Sequence, residues 1–514
     1  MRFYKILFAL ILLVSTHSFS IAQDTLATAP KTEPKYEFRG VWIATVVNLD
    51  WPRNSLATAE VQKRDLLSQF NTHQQMGINA IMFQVRPAAD AFYSKSREPW
   101  SKYLTGTQGK APTYDPLEFA VTEAHKRGME LHAWFNPYRA TFDGRFNLIA
   151  DNHITRTKPE WFFIYEGIKL FNPGIPEVRE YIVQVILDVV KNYDVDGIHM
   201  DDYFYPYPVR GQVINDADAF AQYGEGFDDI RDWRRDNVDK LVHMLNDSIH
   251  KYKPRMKFGI SPFGIWANIR QHPDGSETAG GSSYFENFAD TRKWTREGWI
   301  DYINPQIYWQ IGNRAAAFDK LLNWWSLNTY NRHLYIGQGP YRFYEQRSPA
   351  FKNPSEIPNQ LRLMRANPRV QGSVYFRSQT LMANANHLAD TLKHDFYKYP
   401  ALPPPMLWRD SVPPLPPQSF TAAQDRSGVM LKWEAPLPAS DGEAAYGYVI
   451  YRFEDNKNID LNDPRNILHI QYDTATLYQD SNVRQGQTYF YVITAIDRMK
   501  NESERSPTIA VIKQ

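Results

Sequence analysis

Two adjacent carboxylates, Asp201 and Asp202, followed by Tyr203, Phe204 and Tyr205, are the residues of this chain best suited to chemistry. They close the segment DGIHMDDYFYP, residues 196–206. In a strand alternate residues share a face, so His199, Asp201 and Tyr203 point one way and Ile198, Met200 and Asp202 the other. Carboxylates are costly to hold at the end of a buried strand, and a like-charged neighbour raises the proton affinity of one of them. Such a pair can cleave a glycosidic bond: one carboxyl protonates the leaving oxygen and the other is nucleophile or base. Asp201 is expected as nucleophile or base, and Asp202 is the most available second carboxyl. Asp202 serves only if the chain bends at the strand end. Glu98, Asp50 and Glu345, on expected loops, are the other candidates for the acid. The plainer alternative is a helix cap beside an exposed aspartate.

The surrounding elements suggest how such a pair is positioned. Strand-like runs begin at Phe38 and recur at residues 79–87, 129–139, 196–203, 256–266, 301–310, 333–342 and 370–378. Helical spacing separates them, at 58–76, 116–127, 178–192, 318–325 and 355–365 among others. Eight alternations over about 350 residues predict a (β/α)₈ TIM barrel with enlarged loops, with a doubly wound open sheet as the alternative. Active sites of such barrels lie where strands meet the following helices. The residues expected there are Arg86, Asn136, Tyr138, Asp201, Asp202, Ser261, Gln306, Tyr308, Trp309 and Arg377. Arg86 offers a planar fork for a hydroxyl or carboxylate, or a structural ion pair with Asp201 or Asp202. Asn136 and Gln306 suit sugar hydroxyls or loop capping. Tyr203 and Tyr308 suit ring stacking; Trp309 suits either stacking or core packing. His199 and His132 are inward polar residues at the site, or core histidines satisfied by hydrogen bonds. His199 beside the two aspartates also raises the question of a metal, but no second His pair or H-x-x-x-H spacing accompanies them, so no metal or cofactor is expected.

The chain has 514 residues, room for two folded units. Arg2 and Lys5 precede an apolar run and the small-residue site Ser20-Ile21-Ala22, which predicts a signal peptide over residues 1–22. Cysteine is absent, which excludes disulfides, thiolate metal sites and a cysteine nucleophile, and suits export to a bacterial periplasm or outside surface. Without the leader's two basic residues the balance is 56 basic against 57 acidic, which calls for neither nucleic acid nor an anionic membrane. The proline-rich stretch 397–417 is expected as a semi-rigid spacer. Beyond it, 429–433, 446–453 and 489–497 alternate as half-buried strands do.

FRGVWIATV, DGIHMDDYF, GISPFGIW, ADTRKW and EGWIDYINPQIYW, in that order, resemble the glycosyl hydrolase-like 10 family over about residues 36–390, within a barrel unit expected at 36–396. The resemblance implies a (β/α)₈ barrel and a glycosidase-type role on a cell-wall glycan, in particular peptidoglycan strands stripped of peptide stems. Strand four is also similar to the D-G-F-R-x-D pattern of alpha-amylase-type enzymes, which sets Asp201 on the nucleophile. Of the inner acids in the D-G-x-D-x-D-x-E pattern of chitinase-type barrels only Asp201 is retained, His199 and Tyr203 standing in place of the first inner Asp and the final Glu. Trp433, YGYVIYR and TYFYVITAID resemble a fibronectin type III domain over about residues 415–514, the domain itself expected at 418–514, with Tyr489 as its tyrosine-corner residue. A glycan-binding barrel without turnover and a metal-dependent polysaccharide deacetylase are the alternative functions.

Overall fold

A computed structural model describes residues 33–345 and 349–513; residues 1–22, expected as a signal peptide, lie outside the described residues. Eight parallel strands close into a barrel in sequential order. They are β1 (Phe38–Ile43), β2 (Ala80–Arg86), β3 (Glu130–Phe135), β4 (Gly197–Met200), β5 (Lys257–Ile260), β6 (Tyr302–Ile303), β7 (His333–Gln338) and β8 (Gly372–Tyr375). Closure between β1 and β8, with Phe38 opposite Gly372, excludes the open-sheet alternative. Residues on alternate positions divide as a barrel requires. Ile198 and Met200 join the apolar shell under the helices, whereas Phe38, Trp42, Met82, Trp134, Tyr302 and Tyr335 pack inside the barrel.

The long loop after β3 contains a hairpin that the sequence reading passed over, Phe162–Tyr165 paired with Ile168–Phe171. Its two-residue turn, Glu166-Gly167, has positive φ at both positions (50° and 75°), which fits the twist of the flanking strands. The hairpin braces the cleft loops. Tyr165 Oη accepts from the Val209 backbone N–H at 2.9 Å and donates to the Tyr207 carbonyl at 3.0 Å.

The chain beyond the barrel forms a three-stranded and a four-stranded sheet. The first orders β9 (Gln418–Asp425), β10 (Gly428–Glu434) and β13 (Leu477–Asp480). The second orders β12 (Ile467–Gln471), β11 (Gly447–Phe453), β14 (Thr488–Ile496) and β15 (Ile509–Ile512). Two expectations fail here for one reason: this unit is seated on the barrel floor. The proline-rich stretch is a packed strap and not a spacer. Leu402 and Met406 are fully buried, the Glu37 N–H donates to the Leu402 carbonyl at 2.9 Å, and Trp408 Nε1 donates to Asp301 at 2.9 Å. Strands β11 and β14 are not half-buried. Tyr448 and Ile450 face the sandwich core, while Val449, Tyr451 and Phe453 pack on the opposite side with Leu402. Prolines forbid helix and central strand, but they do not prevent a segment from lying flat in a groove.

Candidate active site

β4 ends at Met200 and the chain bends at Asp202, so both carboxylates turn into one cleft of about 430 Å³ above the barrel. Both are buried, 5% and 6% exposed. Burial, reinforced by Asp202 beside it, pushes the Asp201 carboxyl from an ordinary 3.8 up to about 7. Burial also raises Asp202, against the donors that reach it. Those donors are unequal. Asp202 receives one on each oxygen, Gln306 Nε2 at 3.0 Å on Oδ1 and the Tyr207 hydroxyl on Oδ2. Asp201 receives the Asn136 amide on Oδ2, while Oδ1 has only the Tyr203 N–H at 3.3 Å.

The Asn136 donor is imposed from a distance. The backbone N–H groups of Thr45 and Val46 donate to Gln84 Oε1 at 2.8 and 2.9 Å. Gln84 must therefore present its NH₂ to Asn136 Oδ1, at 2.6 Å, and Asn136 must present its own to Asp201. Two backbone amides beyond β1 thus orient two side-chain amides in series.

Below the cleft a second polar chain runs down the barrel axis. Trp42 Nε1 can only donate, so its 3.1 Å contact makes His199 Nε2 an acceptor. His199 Nδ1–H then donates to Tyr302 Oη at 3.1 Å, Tyr302 to His132 Nδ1 at 2.9 Å, and His132 Nε2–H to Glu130 at 3.2 Å. Lys257, at 2.6 Å, and Lys500 from the sandwich, at 3.1 Å, close the chain on Glu130. Two glycines make room for these rings: a Cβ on Gly197 would meet His132 at 2.5 Å, and one on Gly259 would meet Tyr302 at 2.2 Å. Burial and His132 nearby keep His199 neutral.

The family model of glycosyl hydrolase-like 10 matches residues 37–352. The chain belongs to that family. Glycosyl hydrolase YngK of Bacillus subtilis is 44% identical over 476 residues, 91% of this chain and 92% of that one. Glycosyl hydrolase DigH of Escherichia coli K12 is 37% identical over 369 residues, 67% of this chain and 83% of that one. Among solved structures, the PgaB (BpsB) glycoside hydrolase domain of Bordetella bronchiseptica aligns with a TM-score of 0.48 at 11% identity, covering 71% of this chain and 99% of that domain.

Of the residues expected at the site of this glycosyl hydrolase-like 10 chain, Asp201, Asp202, Asn136, Tyr203, Ser261, Gln306, Tyr308 and Trp309 line the cleft together. Arg86, His132, Tyr138, His199 and Arg377 do not. The β2–β3 register shifts between Gln84 and Arg86, so Arg86 leaves the inward face that Gln84 occupies. Its guanidinium forms a two-point pair with Glu98, 2.7 Å at each end, and donates to the Asn136 and Pro137 carbonyls at 2.6 and 3.0 Å. Arg86 therefore positions Asn136 and is not a substrate clamp, and Glu98 is unavailable as the acid. Glu98→Ala is expected to lower stability by about 3–5 kcal/mol, because it strands a buried guanidinium; the urea midpoint measures this. His199 is sealed beneath Trp42, its two nitrogens occupied. Asp50 is bound to the Ala44 and Gln379 N–H groups and to Arg377, outside the cleft lining. Glu345 pairs with Arg342 at 3.0 Å.

The sequence reading missed Gln84, Arg139 and Tyr207. Gln84 and the inward Trp134 follow the period-two pattern of their strands, a usable signal. Tyr207 and Arg139 lie on loops, where no periodicity marks a direction.

Proposed function

We propose that this chain is a glycoside hydrolase acting on bacterial cell-wall glycan, with peptidoglycan strands lacking peptide stems as its substrate. The observation that carries the reading is the pair Asp201 and Asp202, both buried, both with raised proton affinity, side by side in an aromatic-walled cleft. Such a pair shares one proton near neutrality, which supplies an acid and a base at once. Asp202, with a donor on each oxygen, favours the ionised role. Asp201, with one oxygen weakly held, favours the proton-carrying role and protonates the leaving oxygen. This reverses the order that strand-four resemblances suggest. Tyr203, Tyr308 and Trp309 offer ring faces to the sugars, and Asn136 and Gln306 orient the carboxyls. The names of the relatives, glycosyl hydrolases in both cases, support the reaction class.

A deacetylase metal centre built on His199, Asp201 and Asp202 is disfavoured, because both His199 nitrogens already have partners. The carboxylates that could gather around a cation elsewhere, Asp410, Asp441 and Glu443, surround Arg255 instead. Export through a signal peptide at residues 1–22, to the periplasm or cell surface, belongs to the same proposal. No helix among the described residues is long and apolar enough to cross a membrane. We assign residues 418–513 to the fibronectin type III kind; Tyr489 Oη accepts from the Arg484 N–H at 3.1 Å, as a tyrosine corner would.

The test is incubation of the mature chain with peptide-free glycan strands and mass spectrometry of the products. Short saccharides are expected, undiminished by a chelator. Released acetate with intact strands would establish the deacetylase, and bound but uncut strands a glycan-binding protein.

A further inference from the structure

Arg139 stands in the cleft wall without a close ion pair. It is buried, 7% exposed, yet no carboxylate oxygen of a described residue lies within ion-pairing distance. Its guanidinium carbon sits 4.3 Å from the Tyr203 ring centre and 5.5 Å from that of Phe142. Its backbone is bridged to Leu170 of the hairpin, which pins this loop residue in place. The nearby aspartates do not claim its fork. Asp201 is served by Asn136 and Tyr203, and Asp202 by Tyr207 and Gln306. The other arginine of the cleft wall, Arg342, is paired with Glu345.

Asp201 and Asp202 feel the Arg139 charge only across the cleft and do not close on it, and a buried fork whose N–H groups meet no carboxylate is one that a ligand completes. The planar N–H fork of Arg139 matches a carboxylate at two points. One guanidinium beside two acidic groups suits a singly charged ligand better than a doubly charged phosphate, and a hydroxyl would engage the fork at one point instead of two.

We propose that Arg139 forms a subsite for a carboxylate carried by a sugar of the substrate. The proposal rests on the glycan reading above and deepens it. In stem-free peptidoglycan the lactyl group of each muramic acid ends in a free carboxylate. Where a peptide stem is attached, that group is a neutral, bulky amide. Arg139 is then the residue that makes the cleft select stripped strands.

Two tetrasaccharides separate the terms: alternating N-acetylglucosamine and N-acetylmuramic acid, and chitotetraose, which has the same backbone without lactyl groups. Calorimetry on the full-length Asp201→Asn protein is expected to show the acidic tetrasaccharide bound roughly 10–100-fold more tightly, the range of a charged two-point contact. Adding Arg139→Gln should bring the ratio close to one. Converting the lactyl carboxylates to methyl amides should do the same without altering the protein, and that arm decides the matter if Arg139→Gln does not fold. Equal affinity for the two glycans, or a preference that survives Arg139→Gln, would overturn the subsite while leaving a glycan-binding cleft. No binding of either glycan would overturn the glycan reading and the subsite with it.

Discussion

Asp201→Asn is expected to lower turnover of stem-free strands by about three orders of magnitude, the scale on which a positioned acid or base acts, while the fold stays as stable as before or gains. The two effects have opposite signs because the same burial causes both. A carboxyl that ionises near 3.8 when exposed and near 7 in the fold keeps a proton the unfolded chain has already lost. Its contribution to stability is greatest below the lower value and falls as pH rises to the upper one. An asparagine escapes that loss and still fills the space. The same value sets the alkaline limb of activity: with one proton shared by the pair, turnover should decline as pH rises through about 7. Asp202→Asn removes the neighbouring negative charge, so the Asp201 carboxyl should then titrate at a lower pH, visible by ¹³C NMR of the labelled aspartates. Full turnover in Asp201→Asn would remove Asp201 from the mechanism.

Ending the chain after residue 396 should have an equally large effect, on folding. The strap and sandwich supply groups that the barrel floor depends on. Met406 and Met499 reach the inner barrel cluster that contains Phe38 and Tyr302, and Leu402 covers the floor beside them. Each buried side chain of this size contributes about 1.5–3 kcal/mol. Asp301 would lose Trp408 and Arg409, and Glu130 would lose Lys500. Asp196 would lose the Tyr446 hydroxyl, at 3.1 Å, and the nearby Arg498. Stranding a buried charge costs about 3–5 kcal/mol, and a domain's net stability is only about 5–15 kcal/mol. The truncated barrel is expected to be insoluble or to lack a cooperative thermal transition. A soluble barrel that melts cooperatively at the temperature of the full chain would show that the floor does not need its cover.

What the sequence determined by itself is what local rules control. Alternation of the two periodicities yields eight strands, their order and the inward set, because side-chain direction in a strand repeats every two residues. It also marks Asp201, and the family motifs around it, as the place to look. The tertiary structure decided the rest. A register shift between Gln84 and Arg86 exchanged the expected clamp for a brace. A bend after Met200 brought Asp202 beside Asp201 against the alternation of the strand. A hairpin placed Arg139 and the loop of Tyr207 against the pair. The proline-rich segment and the terminal sandwich became the barrel floor. Composition cannot distinguish a spacer in water from a strap in a groove, because the difference lies in a surface contributed by residues hundreds of positions away. Bulges, bends and docking are settled by such non-local contacts, whose energies outweigh local preference, and no window along one chain contains them.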